Sequence, residues 1–271
     1  MKTIHLRVKS LESTRKITQS MKMVAASKFA RAEVVFQKMK GLMDASRFFF
    51  DKTKIKLDTN LPNQLIIYIT SDRGLCGPAH SGLFRKLRDE LKVTKTSYKI
   101  VCYGVKGRNL MSMLFSDHYL FVATEAGTTQ PIFQDAAKVV DQLIRSDYNY
   151  ETGRIGFNKY IAKMQIRPSS IPIANFEVLK ASAMRNIYQD ISDEELRCFS
   201  EFLLAMQLYG VLIENYTSVQ CSRMMAMDGS SKSAADAISK LKLLYNRTRQ
   251  ATITRELSEI ISGKLALEQE E

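Results

Sequence analysis

Tryptophan is absent from the 271 residues, and proline and cysteine are scarce, at 5 and 4. Glycine stops at 12. So little of both excludes a collagen-like chain or an extended linker. The four cysteines (Cys76, Cys102, Cys198 and Cys221) form no C-x-x-C pair, and the three histidines are as dispersed. A structural zinc site needs four converging N or S ligands, so no metal site is expected, and the thiols read as free ones in a reducing compartment. Long apolar runs are missing too. The longest, Phe202 to Ile213, has 12 residues and contains Gln207. A membrane helix needs about 20, so this run reads as a buried helix face, with no transmembrane span and no signal peptide expected.

What is present is ordinary for a folded protein: 45% hydrophobic and 25% charged residues, which excludes wholesale disorder. The net charge is +12, and it is uneven. Residues 1–56 carry 14 basic and 4 acidic side chains, whereas residues 186–271 carry 9 and 13. A basic end suits nucleic acid, an anionic membrane or an acidic protein partner. Its charges are interleaved with Met, Ala and Val, which argues against a disordered tail.

All five prolines lie between Pro62 and Pro172. Interior proline breaks helices, so the two proline-free ends can each be one long helix. Leu11, Thr14, Thr18, Met21, Ala25, Lys28, Ala32, Val35, Met39 and Leu42 alternate spacings of three and four, a sparse heptad-like stripe of mostly small residues. A helix from Lys2 to Lys56 would span roughly 80 Å. Ser192-Asp-Glu-Glu195 is a capping box that opens a second helix, 193 to about 267, roughly 110 Å long. Its apolar positions run Leu196, Phe199, Leu203 and Met206, then Ala234, Ile238, Leu241 and Tyr245, then Leu257, Ile261 and Leu265. Gly229 is the expected irregular point. Two such helices should pair as an antiparallel coiled coil.

The middle alternates strand and helix. Gln64–Thr70, Tyr98–Tyr103 and Tyr119–Ala123 are apolar, β-branched runs, with helix-like segments at 81–91, 105–114 and 132–146. Arg154–Gln165 and Ile173–Leu179 read as two further strands. This pattern predicts a mostly parallel sheet covered by helices.

Ser71-Asp-Arg-Gly-Leu-Cys-Gly77 lies between strand and helix, where phosphate loops sit in α/β folds. It matches neither G-x-x-x-x-G-K-[ST] nor G-x-G-x-x-G, and so reads as a tight turn at the sheet edge. Cys76 and His80 lack a local acid to orient the histidine, and a small buried thiol is the simpler reading. Arg247 and Arg249 are two apart on a helix and do not share a face. No catalytic, metal or cofactor-binding residues are assigned.

Lys16-Ile-Thr-Gln-Ser-Met-Lys-Met-Val-Ala-Ala-Ser-Lys28, the 71–77 loop, Arg223-Met-Met-Ala-Met-Asp228 and Tyr245–Gly263 together resemble the gamma subunit of the F-type ATP synthase, the central rotor shaft. The order and spacing hold over nearly the whole chain. Phe29-Ala-Arg-Ala-Glu33 is similar to the mitochondrial branch, and the paired-cysteine insert of the chloroplast branch is absent. Pro78, Gly229, Ser233 and Lys264 depart from the family's pattern.

The resemblance implies an α/β-class fold. A long antiparallel coiled coil of the N- and C-terminal helices (1–58 and 192–271) would carry a central Rossmann-like α/β foot domain (62–190). It implies a subunit without an active site or cofactor of its own, coupling rotation of a membrane ring to ATP synthesis or hydrolysis in a catalytic hexamer. The implied partners are alpha- and beta-type subunits, small delta- or epsilon-type stalk subunits and a ring of c-type subunits. The implied location is peripheral, on the matrix side of the mitochondrial inner membrane, or on the cytoplasmic side of a bacterial plasma membrane. Hexamer contacts would fall on Met21, Lys22, Met23, Arg249, Gln250, Thr254 and Glu256. Leu265, Ala266 and Leu267 would form an apolar tip, interrupted by Lys264, that needs a collar. Ser71, Asp72, Arg73, Gly74, Leu75, Cys76 and Gly77 would be the motif loop of the foot. Two rivals remain from the residues alone. A basic coiled-coil nucleic-acid binder leaves the acidic C-terminal helix unexplained, and an α/β enzyme with helical extensions lacks a reactive constellation.

Overall fold

The computed structural model describes residues 2–53, 63–93, 96–162, 165–181 and 191–268. Two long helices bracket the chain: α1, Lys2–Thr53, and α6, Asp193–Glu268. Between them lie β1 Gln64–Ile69, α2 Ala79–Val93, β2 Tyr98–Tyr103, α3 Val105–Phe115, β3 Tyr119–Ala123, α4 Phe133–Arg145, β4 Thr152–Ala162, β5 Gln165–Ala174 and α5 Phe176–Ala181. The chain forms two compact units, Met1–Val24 with Ala226–Glu271, and Ala25–Met225.

The larger unit is built on a five-stranded sheet of order β3-β2-β1-β4-β5. The first four strands are parallel, and β5 runs antiparallel to β4 at one edge. Every residue of β1 is buried, because both faces of the central strand are covered. Alternation divides the strand cleanly. Ile66 and Tyr68 pack with Leu83, Leu87 and Leu91 of α2 and Met111 of α3. Leu65, Ile67 and Ile69 pack with Val139, Val140 and Leu143 of α4 and with Leu204, Leu208 and Val211 of α6. Each such side chain contributes roughly 1.5–3 kcal/mol on burial. The sheet grows from β1 outward through β2 and β3, then returns to the other side of β1 with β4. Right-handed crossovers require the helices to change face at that reversal, as they do here.

The expected helices at 81–91, 105–114 and 132–146 are present, and so are the first three strands. Two expectations are corrected. Arg154–Gln165 is not one strand: β4 ends at Ala162 and β5 begins at Gln165. Ile173–Leu179 is not a strand either: Ile173 and Ala174 close β5, and a short helix follows from Phe176. Asn175 makes that break, its Oδ1 accepting from the Phe176 N–H at 2.6 Å. Pro168 and Pro172 stand inside β5, which is possible because β5 has a neighbour on one side only.

Within this unit α6 is buried all round rather than along one stripe: every residue from 210 to 224 is buried. The apolar stretch of α6 is long and apolar enough to cross a membrane, but over half of it lies inside the protein, as in a core helix. The opening turn of α6 is capped as expected. The Glu195 carboxylate accepts from the Ser192 N–H at 2.9 Å and hydroxyl at 2.8 Å, and the Ser192 oxygen accepts the Glu195 N–H at 3.2 Å. Both Ser192 bonds hold the Glu195 carboxyl below its ordinary pKa. Gly229 does not interrupt the helix, which is continuous through it.

In the smaller unit the two helices pair antiparallel. Lys22 meets Asp228 at 2.6 Å, Glu12 meets Lys242 at 2.9 Å, and the His5 and Tyr245 rings lie 6.3 Å apart. The seam is sparse: Val8, Met227, Ala234 and Ile238 are its buried apolar residues.

Candidate functional site

In a sheet of this order a ligand crevice opens where the strand order reverses, at the carboxyl ends of β1 and β4. The 71–77 loop stands there. It follows the sheet's central strand, which corrects the expected placement at the sheet edge. Leu75 at φ 62° and Gly77 at φ 53° make the tight turn. Asp72 is anchored on both sides, its N–H to Ala126 O at 2.9 Å and its Oδ1 accepting from the Val105 N–H at 2.8 Å. That carboxylate caps the positive end of α3, a place a phosphate would otherwise take. Gly104 enters α3 at φ 107°, and a Cβ there would meet Thr70 Oγ1 at 2.6 Å.

The crevice itself is filled by α6. Asn215 Nδ2 donates to Thr70 O at 3.2 Å, and its Oδ1 accepts from the Asn158 N–H at 3.2 Å and Nδ2 at 3.3 Å. Ser218 donates to Asn158 O at 2.7 Å, Ser222 to Cys76 O at 2.6 Å, and Arg223 Nε to Gly74 O at 3.4 Å. One helix thus ties the ends of β1 and β4 and the motif loop together through side chains.

The loop's reactive types are disarmed. His80 Nε2 lies 3.0 Å from Ser71 Oγ and 3.3 Å from Arg73 O. A carbonyl can only accept, so Nε2 carries the hydrogen. Burial pushes the His80 pKa down and the Cys76 pKa up, leaving a neutral imidazole and a neutral thiol. The local reading of Cys76 as a buried thiol holds, at 2% exposure. No cluster of His, Cys, Asp and Glu that could hold a metal occurs among the described residues.

The residues expected to meet a partner fall into two groups that the structure does not bring together. Met23 is 62% exposed, Met21 is half-buried, and Lys22 is engaged by Asp228 within the chain. Asp228 also accepts from Lys232 at 2.8 Å, and the two lysines, Lys22 first, pull its pKa down to about 2. Arg249, Gln250, Thr254 and Glu256 are all exposed and lie within two turns of α6. They stand about 30 Å farther along that helix than Asp228, at 1.5 Å per residue. Lys264 is exposed. Leu265, Ala266 and Leu267 lie in the last helical turns, and their side chains lie outside the described residues.

The apolar positions Leu257 and Ile261, expected on the seam of the paired helices, lie beyond it. The pairing register sets the start of α1 opposite α6 near residue 250. Past that point Ile253, Leu257, Ile260 and Ile261 are 43–67% exposed. They recur at i, i+4, i+7 and i+8, an amphipathic face with no described helix of this chain against it. The signal was available in the spacing, but only the register shows where α1 stops.

These features define a class: a two-helix coiled coil joined to a doubly wound α/β unit whose ligand crevice is closed by its own helix. The sequence profile described as ATP synthase matches residues 1–267. The mitochondrial ATP synthase gamma subunit of Drosophila melanogaster is 40% identical over 98% of this chain and 90% of the relative. The mitochondrial ATP synthase F(1) complex gamma subunit of Rattus norvegicus is 38% identical over 99% of both chains. A chain of the Euglena gracilis mitochondrial ATP synthase shares the fold, with a TM-score of 0.81 at 19% identity over 98% of this chain and 94% of that one. The chain belongs to the gamma-subunit family of the F-type ATP synthase, the central-stalk component of that rotary machine. Nothing in these likenesses supports the nucleic-acid-binding alternative.

Proposed function

We propose that this chain is the turning shaft itself, with no catalytic site of its own. Its paired helices (1–58 and 192–271) insert into a hexamer of alpha- and beta-type subunits. Its foot (62–190) holds delta- or epsilon-type stalk subunits and a ring of c-type subunits, on the matrix side of the mitochondrial inner membrane. Met21, Lys22, Met23, Arg249, Gln250, Thr254 and Glu256 face the hexamer, and the tip at 265–267 turns in an apolar collar.

The observation that carries this reading is the uncovered face of Ile253, Leu257, Ile260 and Ile261. An apolar stripe on a helix that has outrun its partner calls for enclosure by another protein. Salt-tolerant apolar contact there, with exposed Arg249 and Glu256 beside it, suits a surface that must form and release contacts as it turns. The absence of a catalytic role is supported by Asn215, which occupies the crevice a nucleotide would need.

Native mass spectrometry of the tagged chain, purified from its own cells, tests the reading. Co-purification with a hexameric ATPase is expected, and its loss when residues 253–261 carry Ile260→Asp and Ile261→Asp. A chain that purifies alone or only with itself would overturn it.

A further inference from the structure

The larger unit holds a cavity of about 630 Å³ between α1, α2 and the β4–β5 hairpin, away from the motif loop. Four cations from four elements border it: Lys40 of α1, Lys86 of α2, Lys159 of β4 and Arg167 of β5. Two carboxylates do so as well, Asp44 and Glu214. Glu214 is buried and turned to the sheet, its Oε1 accepting from the Tyr160 N–H at 3.2 Å. Lys86 is engaged by Pro168 O at 3.4 Å and Glu90 at 3.8 Å. Lys40 stands over the Phe36 ring at 5.5 Å. Among the described residues no carboxylate pairs with Lys40, Lys159 or Arg167. Four cations against two carboxylates leave the lining net positive, with Lys159 half-buried and Lys40 and Arg167 exposed, so an anion can reach them.

We propose that this cavity binds a compact phosphate-bearing anion with two or more negative charges. A single carboxylate would answer one cation, whereas a diphosphate offers enough oxygens for three and accepts the Arg167 guanidinium in a two-pronged contact. The volume is that of a small-molecule pocket. Phe36, Met43 and Tyr160 line the apolar wall, which leaves room for an organic portion beside the phosphates. A ligand seated here would rest on α1 and on the sheet hairpin at once, so it would stiffen the seat of the N-terminal helix on the foot.

Calorimetric titration of the full chain with inorganic pyrophosphate, at two salt concentrations, tests this. The double variant Lys159→Ala/Arg167→Ala is compared with Arg108→Ala/Lys138→Ala, which removes the same charge from exposed sites on α3 and α4. Loss of two charge-assisted contacts should weaken binding by about a hundredfold in the first and by less than about threefold in the second. Flotation with phosphatidylglycerol vesicles, against phosphatidylcholine alone, forms a second arm. A selective loss in the pyrophosphate arm supports a free phosphate. The same selective loss confined to the vesicle arm supports a lipid headgroup at this site. Equal behaviour of the two double variants in both arms overturns the proposal.

Discussion

Asn215→Leu isolates what the buried polar tie between α6 and the sheet contributes. Leucine keeps asparagine's branched shape with a larger volume, so no cavity is created and the main loss is of hydrogen bonds. Three go at once: two from Asn158 to Asn215 Oδ1 and one from Asn215 Nδ2 to Thr70 O. The site is 3% exposed, so water cannot replace them. At about 1 kcal/mol for each buried group left unpaired, the change costs about 3 kcal/mol. With a urea slope of about 2 kcal/mol per molar, the midpoint of unfolding should fall by about 1.5 M. Thr217→Val is the control. Thr217 is equally buried, but its hydroxyl bonds only to Ile213 O in its own helix, at 2.9 Å. Its midpoint should fall by less than about 0.5 M. Urea titration of the full chain followed by near-ultraviolet circular dichroism reads both. Equal shifts for the two variants, or none for Asn215→Leu, would refute the tie.

Gly107→Ala should destabilise by about 1–3 kcal/mol, because a Cβ there would stand 2.6 Å from Thr70 Oγ1 and 2.7 Å from Tyr68 Cε1; thermal unfolding checks it. The folded pKa of Asp228, about 2, lies below its ordinary value of 3.8, so its contribution is full above that value and is lost as pH falls through about 2. The melting difference between the wild type and Asp228→Asn should therefore be steady at neutral pH and vanish toward pH ~2, and a difference that persists there would contradict the ion pair's role. Arg249→Ala with Gln250→Ala should lower ATP turnover of the assembled complex without dissociating it, as read by turnover and native mass together.

The legible parts of the fold were those set by local rules. Both long helices followed from missing prolines and the Ser192–Glu195 box, and β1, β2 and β3 from unbroken apolar runs. The β4–β5 hairpin was not legible, because Pro168 and Pro172 argue against a strand until it is known to lie at an edge. The burial of the polar residues between 214 and 222 was not legible for a different reason. Glu214, Asn215, Ser218 and Ser222 look like a solvated helix face, yet each is buried and answers a sheet or loop group. A sequence shows that a side chain is polar, but not that a strand end awaits it. The residues proposed as hexamer contacts rest on the resemblance, and periodicity alone would not have chosen Arg249 over Arg247.

Cys198 offers a direct test of rotation, since it is exposed while Cys76, Cys102 and Cys221 are buried. A bead fixed to Cys198 in a complex reconstituted with the surface-anchored hexamer should turn in one direction when ATP is supplied, and stop when ATP is withdrawn. Continued ATP hydrolysis with the bead stationary would contradict the shaft.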